Sequence, residues 1–184
     1  VQLLRGMKDI LPSEQPYWDR VRTLAGAIAR TYGYTRIDTP MLEDIELFTR
    51  AVGKGTDIIE KEMFTFTDQG GDHVALRPEA TAAIVRAYIE HGFVNQPQPV
   101  KLWYLGPMFR YDRPQAGRLR QFHQFGLEVL GEKHPAIDAE LMLLGSNFFR
   151  DLGIPIHVQV NSIGCAICRT PYEVELTTYF RTHR

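Results

Sequence analysis

The chain has 184 residues, 44% of them hydrophobic, which predicts one domain with a substantial core. Its 21 Lys and Arg residues nearly balance 22 Asp and Glu residues, which argues against a globally basic nucleic-acid-binding protein. The sequence contains no apolar run as long as a membrane span and no signal-peptide pattern, so we expect a cytoplasmic protein without a membrane partner.

The N-terminal part predicts a helix followed by a short strand. Apolar residues recur at helical spacing: Tyr17, Val21, Leu24, Ala25 and Ile28. Ser13 is the expected N-cap of this helix, and Gly33 is its expected end. Residues 34–38 are short and β-prone, and Pro40 follows them.

The next region predicts a small hairpin and a second helix. Residues 63–67 and 73–77 alternate as strands around a turn, and Pro78 opens a helix that ends near His91. Glu79 lies in the first turn of that helix, where the helix dipole favours a carboxylate, and residue type alone favours this structural role. The preceding segment with Lys54 has two glycines but not P-loop spacing, so Lys54 receives no ligand role.

The stretch from Val100 to Leu130 predicts a long hairpin. Two apolar runs, Val100–Phe109 and Phe122–Leu130, flank a polar connection that contains turn-forming residues. Alternation places Phe125, Leu127 and Val129 on a core face, and Gln124, Gly126 and Glu128 on the opposite face.

The polar face of this hairpin suits a small cationic molecule, and the connection suits phosphate. Four arginines end the first strand or follow it: Arg110, Arg113, Arg118 and Arg120. Guanidinium groups are planar forks that match phosphate oxygens, so we interpret the hairpin as an anion clamp beside a polar floor. The alternative is an ordinary half-buried hairpin with solvated arginines.

The C-terminal part predicts a helix over 137–152, a strand over 156–160 and a last helix over 171–180. Cys165 and Cys168 have C-x-x-C spacing, but a zinc site needs two more ligands and the chain has no second pair. We favour two reduced cysteines at a helix start, with a partial metal site as the alternative.

Five segments, taken together in order, resemble class II aminoacyl-tRNA synthetases, and most of all the histidyl-tRNA synthetase family. They are RGMKDILP, GTDIIEKEMFTF, ALRPEAT, WYLGPMFRYDRPQAGRLRQFHQFGLEVLG and NSIG. The resemblance implies an α/β fold of the α+β type, with a mainly antiparallel sheet flanked by helices. Residues 1–184 would be a partial catalytic domain, incomplete at the C-terminus, because the family's third motif and anticodon-binding domain are not in this sequence.

The resemblance also implies an activity, which is the activation of histidine with ATP to histidyl-adenylate and its transfer to tRNA(His). Arg110 would be the catalytic residue. The amino-acid site would comprise Glu79, Thr81, Arg110, Gln124 and Glu128, and the ATP site Arg110, Arg118 and Arg120. Mg²⁺ would accompany ATP, with no metal site on the protein itself. Gly33–Phe48, around Pro40, resembles the family's dimerisation motif and implies a homodimer, and we expect these 184 residues alone to be nearly inactive.

Two other functions remain open. A histidine-binding regulatory subunit of ATP phosphoribosyltransferase resembles the synthetase but has no need of the arginine series or of GTDIIEKE, so their presence favours the enzyme. A non-enzymatic tRNA-binding or kinase-sensor module is also compatible with the sequence.

Overall fold

The computed structural model describes residues 1–51, 62–161 and 164–183. In chain order the elements are α1 (Gln15–Thr31), β1 (Thr35–Arg36), β2 (Leu42–Asp44), α2 (Ile45–Ala51), β3 (Phe64–Thr67), β4 (His73–Leu76), α3 (Thr81–Glu90), β5 (Val100–Phe109), β6 (Gln121–Leu130), α4 (Ala136–Leu152) and α5 (Ala166–Thr182). A short 3-10 turn over Phe93–Asn95 lies between α3 and β5.

The described strands form two three-stranded sheets, with the orders β1-β5-β6 and β2-β4-β3. In these sheets β1 pairs with β5 in parallel, and the other three pairings are antiparallel. The Phe109 N–H donates to the Arg77 carbonyl at 3.0 Å, which joins the end of β5 to the chain that leaves β4. The predicted α/β fold with a mainly antiparallel sheet is confirmed.

The long hairpin is formed by β5 and β6, with ten paired positions from Val100 opposite Leu130 to Phe109 opposite Gln121. The predicted core face packs against α1 and α4, with Trp103 of β5 buried in the same cluster. The residues of β6 that contact this cluster are the predicted ones: Phe125, Leu127 and Val129. Because side chains alternate along a strand, the other face is left for the candidate site.

That other face of the hairpin packs against α3. Leu102, Tyr104 and Met108 of β5 are buried against Ala80 and Ile84. The hairpin is therefore buried on both faces along part of its length, with α1 and α4 on one side and α3 on the other.

The predicted first helix is confirmed as α1, but its predicted N-cap is wrong. The N-cap residue is Glu14, not Ser13, and the Glu14 carboxylate accepts a hydrogen bond from the Leu11 N–H at 3.2 Å. Tyr17 is 75% exposed, whereas the other residues of the predicted apolar stripe contact the core: Val21, Leu24, Ala25 and Ile28. The helix ends at Thr31, and Gly33 adopts φ +80°, as its position predicts.

The C-terminal prediction is only partly correct. Residues 156–160 form no strand, because no described strand pairs with them, and Ile156, Val158 and Val160 are exposed. The last helix starts at Ala166, five residues before the predicted start, and Pro171 lies inside it. The segment with Lys54 lies outside the described residues.

None of the described helices is both long enough and apolar enough to cross a membrane.

Candidate active site

Arg110 connects the end of β5 to the start of α3. Its Nε donates to the Pro78 carbonyl at 2.9 Å, and its guanidinium carbon lies 5.2 Å from the ring centroid of Phe122. Its backbone N–H donates to the Arg120 carbonyl at 2.8 Å, which continues the hairpin pairing beyond Phe109. The guanidinium is thus fixed on the α3 side of the hairpin.

Glu128 connects β6 to the same part of α3. The Thr81 hydroxyl donates to Glu128 Oε1 at 2.7 Å. Burial raises the pKa of Glu128 above its ordinary value, the neighbouring Glu79 carboxylate raises it further, and the bond from Thr81 opposes this shift. No cation is among the described groups that shift the pKa of Glu128.

Arg110 and Glu128 lie on the same face of the hairpin. Glu128 is opposite Leu102 in the hairpin. Arg110 contacts Phe122, which is opposite Met108. Leu102 and Met108 are both buried against α3. Both charged side chains also hydrogen bond near the start of α3, Arg110 to the Pro78 carbonyl and Glu128 to the Thr81 hydroxyl. The hairpin and the start of α3 therefore bring two predicted site residues together.

Glu79 has a structural role in this arrangement. Its two carboxylate oxygens accept hydrogen bonds from the backbone N–H groups of Thr81 at 2.6 Å and Ala82 at 3.0 Å. These are among the donors that the first turn of a helix leaves without an intrahelical partner. Glu79 thus caps α3 and fixes the position of Thr81.

Gln124 contributes an unpaired acceptor to the same face. Its Oε1 is buried and has no hydrogen-bond partner in the described part of the chain. It lies opposite Gly106, where the Arg77 guanidinium occupies the space that a side chain would fill: a Cβ there would be 2.7 Å from Arg77 Nη2. A buried acceptor without a donor costs about 1–3 kcal/mol, so this atom indicates a place where a ligand donates a hydrogen bond.

Tyr104 is a site residue that the sequence reasoning did not identify. It is buried on the site face, and burial, with Glu128 and Glu79 nearby, raises the pKa of its hydroxyl. It lies directly opposite Gly126, where a Cβ would overlap the Tyr104 ring. The glycine on a polar face, opposite an aromatic residue, was the sequence signal that could have revealed it.

Arg118 and Arg120 are not brought to this cluster by their described contacts. Arg118 forms an ion pair with Asp112, and its side chain is 56% exposed. Arg120 lies over the Tyr111 ring at 3.8 Å, and its Nε donates to the Asp112 carbonyl at 3.2 Å. Both arginines therefore order the hairpin connection itself.

Arg120 also holds the N-terminal segment against the hairpin. Its backbone N–H donates to the Gly6 carbonyl at 2.7 Å, and its Nη1 donates to the Arg5 carbonyl at 3.4 Å. Gly6 has φ +84°, and a Cβ there would be 2.8 Å from Arg120 Cγ. This close approach gives the RGMKDILP segment a physical role that its residue types did not reveal.

A groove of about 990 Å³ runs between α2 and α3 and reaches the site. Glu79 and Thr81 line the groove where it meets the site, and Leu47, Val85 and Ile89 give it an apolar wall. Among the described residues, no group of three or more His, Cys, Asp or Glu side chains is placed to hold a metal ion.

Known proteins resemble this chain in both sequence and fold. The family model described as histidyl-tRNA synthetase matches residues 6–166. The histidine--tRNA ligase of Dehalococcoides mccartyi is 54% identical over 180 residues, which are 97% of this chain and 43% of that protein. The chain thus spans less than half the length of the curated relatives it matches.

Two solved structures extend the comparison to the fold. The apo histidyl-tRNA synthetase of S. aureus matches with a TM-score of 0.70 and 38% identity, covering 83% of this chain and 35% of that one. A Bacillus halodurans protein described as an ATP phosphoribosyltransferase regulatory subunit/histidyl-tRNA synthetase matches with a TM-score of 0.70 and 25% identity, covering 84% and 38%. With the family match over most of its length and the class II synthetase fold in its structure, this chain belongs to the histidyl-tRNA synthetase family.

Proposed function

We propose that this chain is part of the catalytic domain of a histidine--tRNA ligase, which joins histidine to ATP as histidyl-adenylate and transfers it to tRNA(His). The observation that carries the proposal is the shared position of Arg110 and Glu128. Both lie on one face of the hairpin and both bond to the start of α3. A cationic group and an anionic group on one face are what an amino acid and a phosphate require.

Histidine would be held by the acceptors of the polar floor. The Glu128 carboxylate and the buried Gln124 carbonyl oxygen suit the N–H groups of an ammonium or an imidazole. Thr81 orients Glu128 through its hydroxyl, and Glu79 in turn fixes Thr81. The burial that raises the Glu128 pKa also strengthens its attraction for a cation that replaces water beside it.

Arg110 would hold the α-phosphate of ATP and the substrate carboxylate. Its Nε donates to the Pro78 carbonyl, and no described residue hydrogen bonds to its Nη atoms. The Nη groups can therefore donate to the oxygens of a phosphate. The substrate carboxylate is already a nucleophile, so the attack on phosphorus needs no general base. Catalysis then rests on positioning the reactants and neutralising the charge that develops on phosphorus.

Mg²⁺ would enter with ATP rather than bind to a preformed protein site. The described residues offer no carboxylate or histidine cluster for it, whereas the phosphates of ATP are themselves ligands for this ion. When bound, the ion supplies positive charge to the departing pyrophosphate.

The roles of Arg118 and Arg120 toward ATP remain predictions. Arg118 suits this role because it is exposed at the hairpin tip and could exchange Asp112 for a phosphate. Arg120 suits it less, because its guanidinium is already engaged with Tyr111 and Asp112.

We further propose a cytoplasmic homodimer that uses segment Gly33–Phe48. The chain as a whole has a net charge of −1, so tRNA(His) would contact a local patch rather than a general basic field. The arginine-rich hairpin connection is one such patch.

Histidine-dependent exchange of pyrophosphate into ATP by the full-length protein tests the proposal. We expect Arg110→Lys to lower kcat by about 10²–10³-fold, because the planar fork that neutralises the phosphate is lost. Arg150→Lys is the control; Arg150 is 71% exposed on α4, where it pairs with Asp151, and we expect nearly unchanged exchange.

The regulatory subunit is the less favoured function. The curated relative at 54% identity is named histidine--tRNA ligase, whereas the structure whose description includes a regulatory subunit is 25% identical. Tight histidine binding by the full-length protein without any pyrophosphate exchange would overturn the ligase proposal in favour of the regulator.

A further inference from the structure

Two cysteines form the start of α5 and take no part in the candidate active site. Cys165 occupies the N-cap position and Cys168 the third helical position, and both are free and exposed. Their Sγ atoms are 3.4 Å apart. A disulfide bond is about 2.0 Å long, so closing it needs the sulfurs to approach by about 1.4 Å.

The two thiols already interact. The Cys165 N–H donates to Cys168 Sγ at 2.9 Å. The Cys168 thiol in turn donates to the Cys165 carbonyl at 3.5 Å. Hydrogen bonds from the backbone and side chain of Cys168 lower the pKa of the Cys165 thiol. An exposed thiol at a helix N-terminus with a lowered pKa is the kind that reacts as a thiolate.

Gly164 leaves space beside the second sulfur. It has φ +74°, and a Cβ at this position would be 2.9 Å from Cys168 Sγ. A residue with a side chain would therefore crowd the sulfur that has to move during bond formation.

We propose that Cys165 and Cys168 are a reversible dithiol–disulfide pair that a low-molecular-weight disulfide of the glutathione type oxidises. This site is separate from the proposed ligase chemistry and stands independently of it. The sequence predicts two reduced cysteines, and the proposal adds that these two thiols can form a disulfide with each other.

The reaction proceeds in two exchanges. The Cys165 thiolate attacks one sulfur of the external disulfide, forming a mixed disulfide and releasing one thiolate. The Cys168 thiolate then attacks Cys165 Sγ, which forms the internal disulfide and releases the second thiolate. The two cysteines lose two electrons, the external disulfide gains them, and the two cysteine protons end on the released thiols or in solvent.

The test is peptide mapping by mass spectrometry of the full-length protein after incubation with glutathione disulfide, acid quenching and alkylation of the remaining thiols. We expect the peptide containing both cysteines to lack alkyl groups and to have lost the mass of two hydrogen atoms. Dithiothreitol should restore both alkylation sites. An unreacted peptide, a disulfide between two chains, or two stable glutathione adducts on one peptide would overturn the proposal.

Single variants test the order of the exchanges. Cys168→Ser should stop at one glutathione on Cys165, and Cys165→Ser should form its adduct several times more slowly, because the thiol with the lowered pKa is gone. Equal rates for the two variants would contradict the assigned attacking cysteine. The folded protein should also close the disulfide faster than the same protein in urea. Equal rates would contradict the proposal that the first turn of α5 brings the two sulfurs together for bond formation.

Discussion

Glu128 shows how one residue links the candidate site to pH. Its pKa in the folded chain is raised, chiefly by burial, so the folded state binds this proton more tightly than the unfolded state. The resulting stabilisation is present in acid and is lost as pH rises through the raised pKa. We expect Glu128→Gln to have little effect on Tm near pH 4 and to raise it by about 2–4 °C near pH 7.

Glu132 is the control with the opposite sign. Hydrogen bonds from the backbone N–H groups of His134 and Lys133 lower the pKa of Glu132, so its stabilisation is present at neutral pH and is lost in acid. Glu132→Gln should therefore lower Tm near pH 7 and have less effect near pH 4. Scanning calorimetry across this range measures both variants, and a parallel response of the two would contradict the environment assigned to Glu128.

Gly126 provides a second residue-scale prediction. Its missing side chain is the space that the Tyr104 ring occupies, and Tyr104 is buried and cannot swing into solvent without cost. We expect Gly126→Ala to destabilise the protein by about 1–3 kcal/mol through overpacking. Gly145 is the matched control: it lies inside α4 with open space around it, so Gly145→Ala should stabilise by roughly 0.5–1 kcal/mol. Urea unfolding compares the two, and equal destabilisation would refute the Tyr104 packing.

Arg77 joins elements that are distant in sequence. It is 7% exposed, and its guanidinium donates to the Pro107 carbonyl at 3.0 Å and to the Thr39 carbonyl at 2.7 Å. It therefore fixes β4 to both the hairpin and the chain before β2. We expect Arg77→Lys to destabilise the protein by about 2–3 kcal/mol, because an ammonium cannot make the divergent bonds of the fork.

Arg150→Lys is the control for Arg77. Arg150 pairs with Asp151, and its side chain is 71% exposed, so its replacement should change the unfolding free energy by no more than about 0.5 kcal/mol. If Arg77→Lys were equally mild in chemical unfolding, the two sheets would be held together by something other than this guanidinium.

At the scale of elements, the sequence predicted what depends on local pattern. The alternation in β6 correctly placed Phe125 against α1 and α4, and Gly33 correctly marked the end of α1. The strand predicted at 156–160 is absent because a strand also needs a partner, which alternation cannot supply.

The site was predictable to the extent that strand alternation determines it. Gln124 and Glu128 were placed on one face by periodicity alone, whereas Thr81, the hydrogen-bond partner of Glu128, is 47 residues away in the sequence. The contacts of Arg120 with Gly6 and Arg5 span more than a hundred residues and have no local sequence signal. Residue type could suggest that Arg120 binds phosphate, but only the fold reveals what its guanidinium already contacts.

On the scale of the whole molecule, the layers explain why one hairpin can carry the site. Its core face is anchored by α1 and α4, so its other face can present polar groups to α3 without losing the hairpin's support. Segment Gly33–Phe48 contains β1 and β2, each of which is an edge strand of one of the two sheets that Arg77 joins.

The proposed homodimer is the prediction that belongs to this scale. Met41 lies directly after Pro40 in the proposed interface and is 50% exposed, although its carbonyl accepts a backbone bond from Arg77. Met41→Glu would keep that bond and place a charge where an apolar contact is expected, so we expect the dimer dissociation constant of the full-length protein to rise at least about tenfold. Leu143→Glu, at an exposed position of α4 outside the segment, should leave it unchanged. Sedimentation equilibrium measures both, and a dimer weakened only by Leu143→Glu would move the interface from Gly33–Phe48 to α4.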